Sequence, residues 1–186
     1  EELAESAGTP VSAEEQALLR TLQKETNCQD ASTIIFTSGT TAQPKGVLLS
    51  HYGILNDARS VALGMHWSES DIMALAMPMF HCSGLTCGVM IGMCDQMPTV
   101  ILRYFSPRVV MAAIEKYRCT VFNAVPSMLL IMKDHPDRTK YDLSSFVSGT
   151  MGGSAISAEE FSEVCRVFGL KNYLSVYGQT ECSPIV

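Results

Sequence analysis

Short apolar runs of strand length alternate with longer segments of helical periodicity along most of this chain, and the alternation limits its fold more than any other feature. The strand-sized runs are residues 33–37, 46–49, 72–77, 99–102, 119–123, 146–148 and 172–177. Between them, 52–63, 83–93, 108–117 and 127–133 suit helices. Ser12 with Glu15 is a capping box, in which each side chain satisfies the other residue's backbone N–H, and it opens a helix to about residue 27. Ser157 with Glu160 repeats the box before a helix ending near Gly169, and Ser106-Pro107 supplies a cap and a first-turn proline. Parallel strands need a crossover and helices provide it, so the pattern predicts an α/β fold: a mainly parallel sheet with helices on both faces. Ligands of such sheets settle at the carboxyl ends of strands, which directs attention to the loops that follow them.

Residues 1–11 are small and polar and read as a linker or terminal edge, leaving 12–186 as the folded piece. With 186 residues, 47% apolar and 17% charged, the chain can bury roughly 70% of its unfolded surface, which excludes a disordered polyelectrolyte or a collagen-like repeat. Thirteen Lys and Arg against nineteen Asp and Glu give a net charge of -6 without a basic stripe, so nucleic acid is not an expected partner. No fixed charge lies between Asp71 and Asp95, a length that could span a bilayer. Pro78, His81, Ser83, Gly84, Thr86 and Gly88 divide it into a strand-sized and a helix-sized run, as in a buried βα unit, so no membrane span is expected. The acidic Glu1 and Glu2 do not resemble a secretory signal. Seven cysteines form no CxxC pair, and an odd number cannot close fully into disulfides; reduced thiols in a cytoplasmic protein are expected.

Chemistry concentrates in two loops. Thr37-Ser-Gly-Thr-Thr-Ala-Gln-Pro-Lys-Gly46 follows the apolar 34–36, and its hydroxyls, glycine backbone and lysine make a cradle for polyphosphate oxygens; a mobile polar turn has the same composition. It is not a GxxxxGK[ST] loop. Counting from Gly39, the second glycine position holds Pro44, Lys45 precedes Gly46, and Val47-Leu48-Leu49 continues as strand. Tyr177-Gly-Gln-Thr-Glu181 follows the apolar 173–176 and offers an aromatic face, a hydroxyl and a hard-metal carboxylate. Taken alone, a core-rim tyrosine and a solvated glutamate explain it as well.

Taken together, these segments resemble the TSG[ST]TGxPKG and YGxTE signatures of the adenylate-forming superfamily, which includes acyl-CoA synthetases, luciferases and peptide-synthetase adenylation domains. Met77-Pro-Met-Phe-His-Cys-Ser-Gly84 is similar to its Pro-x-Phe-His segment, and Ser148-Gly-Thr-Met-Gly-Gly-Ser-Ala155 to its SGGAPL-type turn. The likeness runs from about residue 33 to 186. Ala42 stands where the family has glycine, and Thr150-Met151 is inserted before the glycine pair. The resemblance implies a fragment of the large N-terminal domain of a longer enzyme. The family's ribose-binding aspartate, hinge and adenylation lysine all follow YGxTE, and its first sheet strands precede the phosphate loop.

By the family pattern, a carboxylate attacks the α-phosphorus of ATP to give an acyl adenylate and pyrophosphate, and a thiol, here coenzyme A, then displaces AMP. Thr37, Ser38, Gly39, Thr40, Thr41 and Lys45 would hold the β and γ phosphates. Tyr177, next to Gly178, would lie on adenine opposite Gly152, Gly153 and Ser154. Thr180 would touch the α-phosphate, Glu181 would hold Mg²⁺, and His81 would sit where the acyl and nucleotide pockets meet. Lys45 and His81 are the candidate catalytic residues; for His81, beside Phe80, a hydrogen-bonded packing residue is the alternative. Residues 77–93 and 125–132, rich in Met and including Leu85, Val89 and Leu129, would line a tunnel for a fatty or aryl acid; ordinary core packing is the equal alternative. The overall likeness is greatest to medium-chain fatty acyl-CoA synthetases. The rival readings are a non-catalytic nucleotide-binding or scaffold fragment and an adenylation domain for another carboxylate.

Overall fold

The computed structural model describes residues 11–37 and 43–186. Of the expected phosphate-loop residues, Ser38, Gly39, Thr40 and Thr41 lie outside the described residues, as does Ala42. The chain divides into two units, one ending at Asp30 and the other running from Ala31 to Val186. In the first, α1 (Ala13–Glu25) begins at the expected capping box: Ser12 Oγ accepts from Glu15 N at 3.2 Å, and Glu15 Oε2 accepts from Ser12 N at 2.8 Å. None of its residues is buried.

The second unit opens with β1 (Ala31–Thr37) and β2 (Lys45–Ser50), an antiparallel pair in which Ile34 faces Leu48 and Ile35 faces Val47. Seven residues, 38–44, join them, too few for the crossover a parallel pair needs, so this hairpin stands outside the main sheet. The main sheet is parallel throughout, in the order β4 (Thr99–Ile101), β3 (Met73–Leu75), β5 (Val121–Phe122), β6 (Ser148–Met151), β7 (Asn172–Ser175). α2 (His51–Gly64) leads from the hairpin to β3, and the crossovers of the main sheet carry α4 (Pro107–Tyr117), α5 (Pro126–Lys133) and α6 (Ala158–Phe168). Cys82–Gly84, a π-helical run Leu85–Met90 and Ile91–Cys94 follow without a break and together form α3. Within it the Ile91 N–H reaches back five residues to the Thr86 carbonyl.

Strand alternation sorts the core onto two faces. Met73 and Val121 pack with Ala58, Ala62, Cys87 and Ile91 from α2 and α3. One residue further along each strand, Ala74 and Phe122 pack with Met111, Ile114, Leu129, Met132 and Val164 from α4, α5 and α6. Helices therefore cover both faces, as the sequence pattern predicts. The fully buried Phe146 ring lies 6.1, 5.8 and 5.9 Å from the rings of Phe122, Phe168 and Tyr173. A buried side chain of this size contributes about 1.5–3 kcal/mol. The uncharged stretch 71–95 splits into β3 and α3, and among the described residues no helix is long and apolar enough to cross a membrane. One local expectation is corrected: Ser106 precedes Pro107 as expected, but its hydroxyl makes no capping hydrogen bond, and the proline's fixed φ serves as the start signal.

Candidate active site

The loops after β3, β5, β6 and β7 meet around a cavity of about 470 Å³ at the carboxyl edge of the sheet. Met77, Pro78, Phe80, His81, Cys82 and Cys87 form the wall from the β3–α3 connection. Asn123, Val125 and Met128 come from the β5–α5 connection, Thr150, Gly152 and Gly153 from β6 and its turn, and Val176, Gly178, Gln179 and Thr180 from the segment after β7. The interior is apolar with a small set of hydroxyl, imidazole and amide groups, the usual makeup of a site that buries a small molecule's tail and orients its polar end.

His81 is placed by helix geometry. It is the N-cap of α3, and its Nδ1 accepts from the Ser83 backbone N–H at 3.2 Å with Ser83 Oγ at 2.8 Å. A backbone N–H can only donate, so Nδ1 is an acceptor and the neutral ring carries its proton on Nε2. Two glycines let α3 approach β3 so closely. A Cβ on Gly84 would collide with the Pro78 carbonyl oxygen, and one on Gly88 would press on the Leu75 side chain.

Thr180 is buried at the start of a 3₁₀ turn, Thr180–Cys182, and its Oγ1 lies 3.6 Å from the buried Cys82 Sγ. The segment around it is folded back on itself: Gln179 N donates to Pro184 O at 2.8 Å, and Val186 N to Tyr177 O at 3.1 Å. Gly178 is required there, because a Cβ would run into the Pro184 carbonyl oxygen. Half-buried Asp57 on α2 accepts from Ile185 N at 3.4 Å, and its burial pushes the carboxyl up to about 6 against the opposing hydrogen bond. Burial also pushes the Cys87 thiol well above its ordinary range, so this cavity-wall sulfur is a protonated, unreactive group.

Of the residues singled out from sequence, His81, Gly152, Gly153, Gly178 and Thr180 line the one cavity. Tyr177, Ser154 and Glu181 lie in the same two turns but are exposed and outside its lining, with Tyr177 at 72% exposure. Thr37 ends β1 and the exposed Lys45 begins β2; β2 packs against the Thr180–Cys182 turn, and Ile35, Leu49 and Ile54 cluster with Cys82. The hairpin that carries the phosphate-type loop is thus seated beside the turn that carries Thr180 and Glu181. Among the described residues no three His, Cys, Asp or Glu side chains gather to hold a metal. Glu181 is a single hard oxygen donor, which suits Mg²⁺, an ion that keeps water and substrate phosphates as its other ligands. Sequence reading missed Asn123 and Thr150. Their signal is a carboxamide set inside the apolar run 121–125, a position that burial makes unfavourable unless every amide group has a partner.

The chain matches the AMP-binding enzyme family over residues 1–186. It is 38% identical over 171 residues to the medium-chain acyl-CoA ligase ACSF2, mitochondrial, of Danio rerio, covering 90% of this chain and 28% of that protein. The Homo sapiens protein of the same name is 34% identical over 170 residues, covering 88% and 27%. Among solved structures, the O-succinylbenzoate coenzyme A synthetase MenE from Bacillus subtilis, in complex with ATP and magnesium ion, is similar in fold with a TM-score of 0.69. It is 28% identical, and the match covers 82% of this chain and 30% of that one. The chain therefore spans under a third of the length of these relatives.

Proposed function

Because the chain belongs to the AMP-binding enzyme family, we propose that the protein carrying it is an AMP-forming acid–thiol ligase that activates a carboxylic acid with an apolar tail and passes it to coenzyme A. The observation that supports this most is the convergence of four post-strand loops on one apolar cavity whose polar groups include His81 and Thr180, brought together on either side of Cys82 Sγ, 3.5 Å from His81 Nδ1 and 3.6 Å from Thr180 Oγ1. In the first step a carboxylate oxygen bonds to the α-phosphorus of ATP as the bond to pyrophosphate breaks. In the second the thiol sulfur bonds to the acyl carbon, AMP leaves with the electron pair, and the thiol proton is lost. Adenylation is required because a carboxylate is a poor electrophile and an oxide a poor leaving group.

The acyl tail fits between Met77, Cys87, Val125 and Met128, where sulfur-rich and branched side chains adapt to an alkyl or aryl shape. The Nε2–H of His81 donates to an anionic oxygen at the cavity mouth, and Thr180 Oγ1 binds the α-phosphate. Thr37, Lys45 and the loop between them hold the β and γ phosphates. Lys45 supplies a point charge that offsets the charge moving onto the leaving pyrophosphate. Tyr177, exposed at the edge, is free to lie on adenine against Gly152, Gly153 and Ser154. Glu181 would hold Mg²⁺, whose charge would offset that developing on the phosphate oxygens. Seven free cysteines suit a reducing compartment, which supports the cytoplasmic location expected from sequence; the animal relatives are mitochondrial by name.

Acid-dependent exchange of labelled pyrophosphate into ATP, run with straight-chain, aryl and amino acids, tests this reading. Exchange driven by fatty or aryl acids is expected. Exchange driven by amino acids alone, or release of ADP in place of AMP, would overturn it.

A further inference from the structure

The wall between α3 and β6 is propped open by side chains. Strands β5 and β6 pair at Val121 with Ser148 and again at Ala124 with Met151, but the ladder between these points is interrupted. The Phe122 carbonyl accepts from the Tyr173 hydroxyl at 2.9 Å, and Thr150 N–H donates to Asn123 Oδ1 at 2.9 Å, so neither bonds to the facing backbone. Gly149 lies inside the gap with φ +154°, where a Cβ would collide with the Phe122 carbonyl oxygen. Thr150 Oγ1 also donates to Asn123 Oδ1, at 3.0 Å, and Asn123 Nδ2 donates to the Cys87 carbonyl in the π-helical run of α3 at 2.8 Å. These partners fix the amide orientation: its oxygen can face only the N–H and hydroxyl of β6, and its nitrogen only the carbonyl of α3. Cys87, Asn123 and Thr150 all line the cavity.

We propose that Asn123 is a positioning residue that sets the width of the acyl end of the cavity, and so selects straight-chain over bulkier carboxylic acids, by holding α3 and β6 at a fixed separation. This rests on the reading of the cavity as an acid site. Asn123 is buried, and one carboxamide bridges two walls that no main-chain bond joins there. Replacing it with an apolar side chain removes three hydrogen bonds between buried groups, so the walls must move or admit water. In either case the space between them changes shape, and a pocket discriminates among acids by shape to within a methylene.

The test is kcat/KM in the protein that carries this chain, for a straight-chain acid against a branched or aryl acid of equal carbon number, in Asn123→Ala and Thr150→Val. Thr150→Val removes one of the three bonds at nearly constant volume and decides the question alone if Asn123→Ala does not fold. The ratio is expected to shift about tenfold toward the bulkier acid in Asn123→Ala and by less, in the same direction, in Thr150→Val, with the KM for ATP unchanged within about twofold. A uniform fall for all acids, with the ratio unmoved in every folded variant, would overturn the proposal and leave Asn123 a structural residue. A wild-type protein that charges no carboxylic acid at all would overturn the site reading and this proposal with it.

Discussion

His81 performs two tasks with two different nitrogens, so two substitutions can separate them. Nδ1 caps α3 by accepting from Ser83 N at 3.2 Å, and Nε2 is left as a donor at the cavity. In His81→Asn, the amide oxygen sits where Nδ1 was and asparagine is an efficient N-cap, but nothing reaches the Nε2 position. In His81→Gln, the amide nitrogen reaches the Nε2 position while the cap is lost. Loss of a cap costs about 0.5–2 kcal/mol, and a change of about 1 kcal/mol moves Tm by about 2–4 °C in a chain of 150–250 residues. Loss of one donor aimed at a developing oxyanion costs about 100- to 1000-fold in kcat. The Asn variant should therefore melt like wild type and adenylate about 100- to 1000-fold more slowly, whereas the Gln variant should melt a few degrees lower and keep activity within about tenfold. Thermal melting and pyrophosphate exchange on the same preparations read both. An active Asn variant beside an inactive Gln variant would show that the cap alone matters and would refute the donor role.

Asp57 gives a pH signature. Its carboxyl rises from 3.8 to about 6 in the fold, so the folded chain holds a proton that the unfolded chain has released, and this group destabilises the fold increasingly as pH climbs through that interval. The full shift corresponds to about 3 kcal/mol, and solvent access to a half-buried group reduces it to about 1–2 kcal/mol. Asp57→Asn should therefore raise Tm near neutral pH and leave it unchanged near pH 4, as read by calorimetry at both; equal destabilisation at both values would contradict the burial argument. Gly178→Ala should destabilise by about 1–3 kcal/mol, since the new Cβ must displace the Pro184 carbonyl, and should raise the KM for ATP because Thr180 moves with the turn. Denaturant melts and ATP titration check both effects, and a variant indistinguishable from wild type would show that the turn yields freely.

Much of this was legible in the sequence because it is encoded locally. The capping boxes at Ser12 and Ser157 each need only four residues, and the division of 71–95 into strand and helix follows from Pro78 and the small residues after it. Helices on both faces follow from strand alternation, visible in Met73–Ala74 and Val121–Phe122. What the sequence hid depends on partners distant along the chain. Nothing near residue 90 announces that Leu85–Met90 winds as a π-helix, and Asn123 acquires meaning only when Thr150 and Cys87 are brought to it. The exposure of Tyr177 and Glu181 also depends on the turn at Pro184, whose carbonyl accepts from Gln179 N.

The central claim is that ATP is held between the hairpin bearing Lys45 and the turn bearing Thr180 and Glu181, which the fold seats side by side. Pyrophosphate exchange by Lys45→Ala and Glu181→Ala, each checked for a wild-type melting curve, tests it most directly. Each removes a charge directed at phosphate or at the metal, and each should slow exchange by about 100-fold or more. Wild-type exchange rates in both variants would contradict the account.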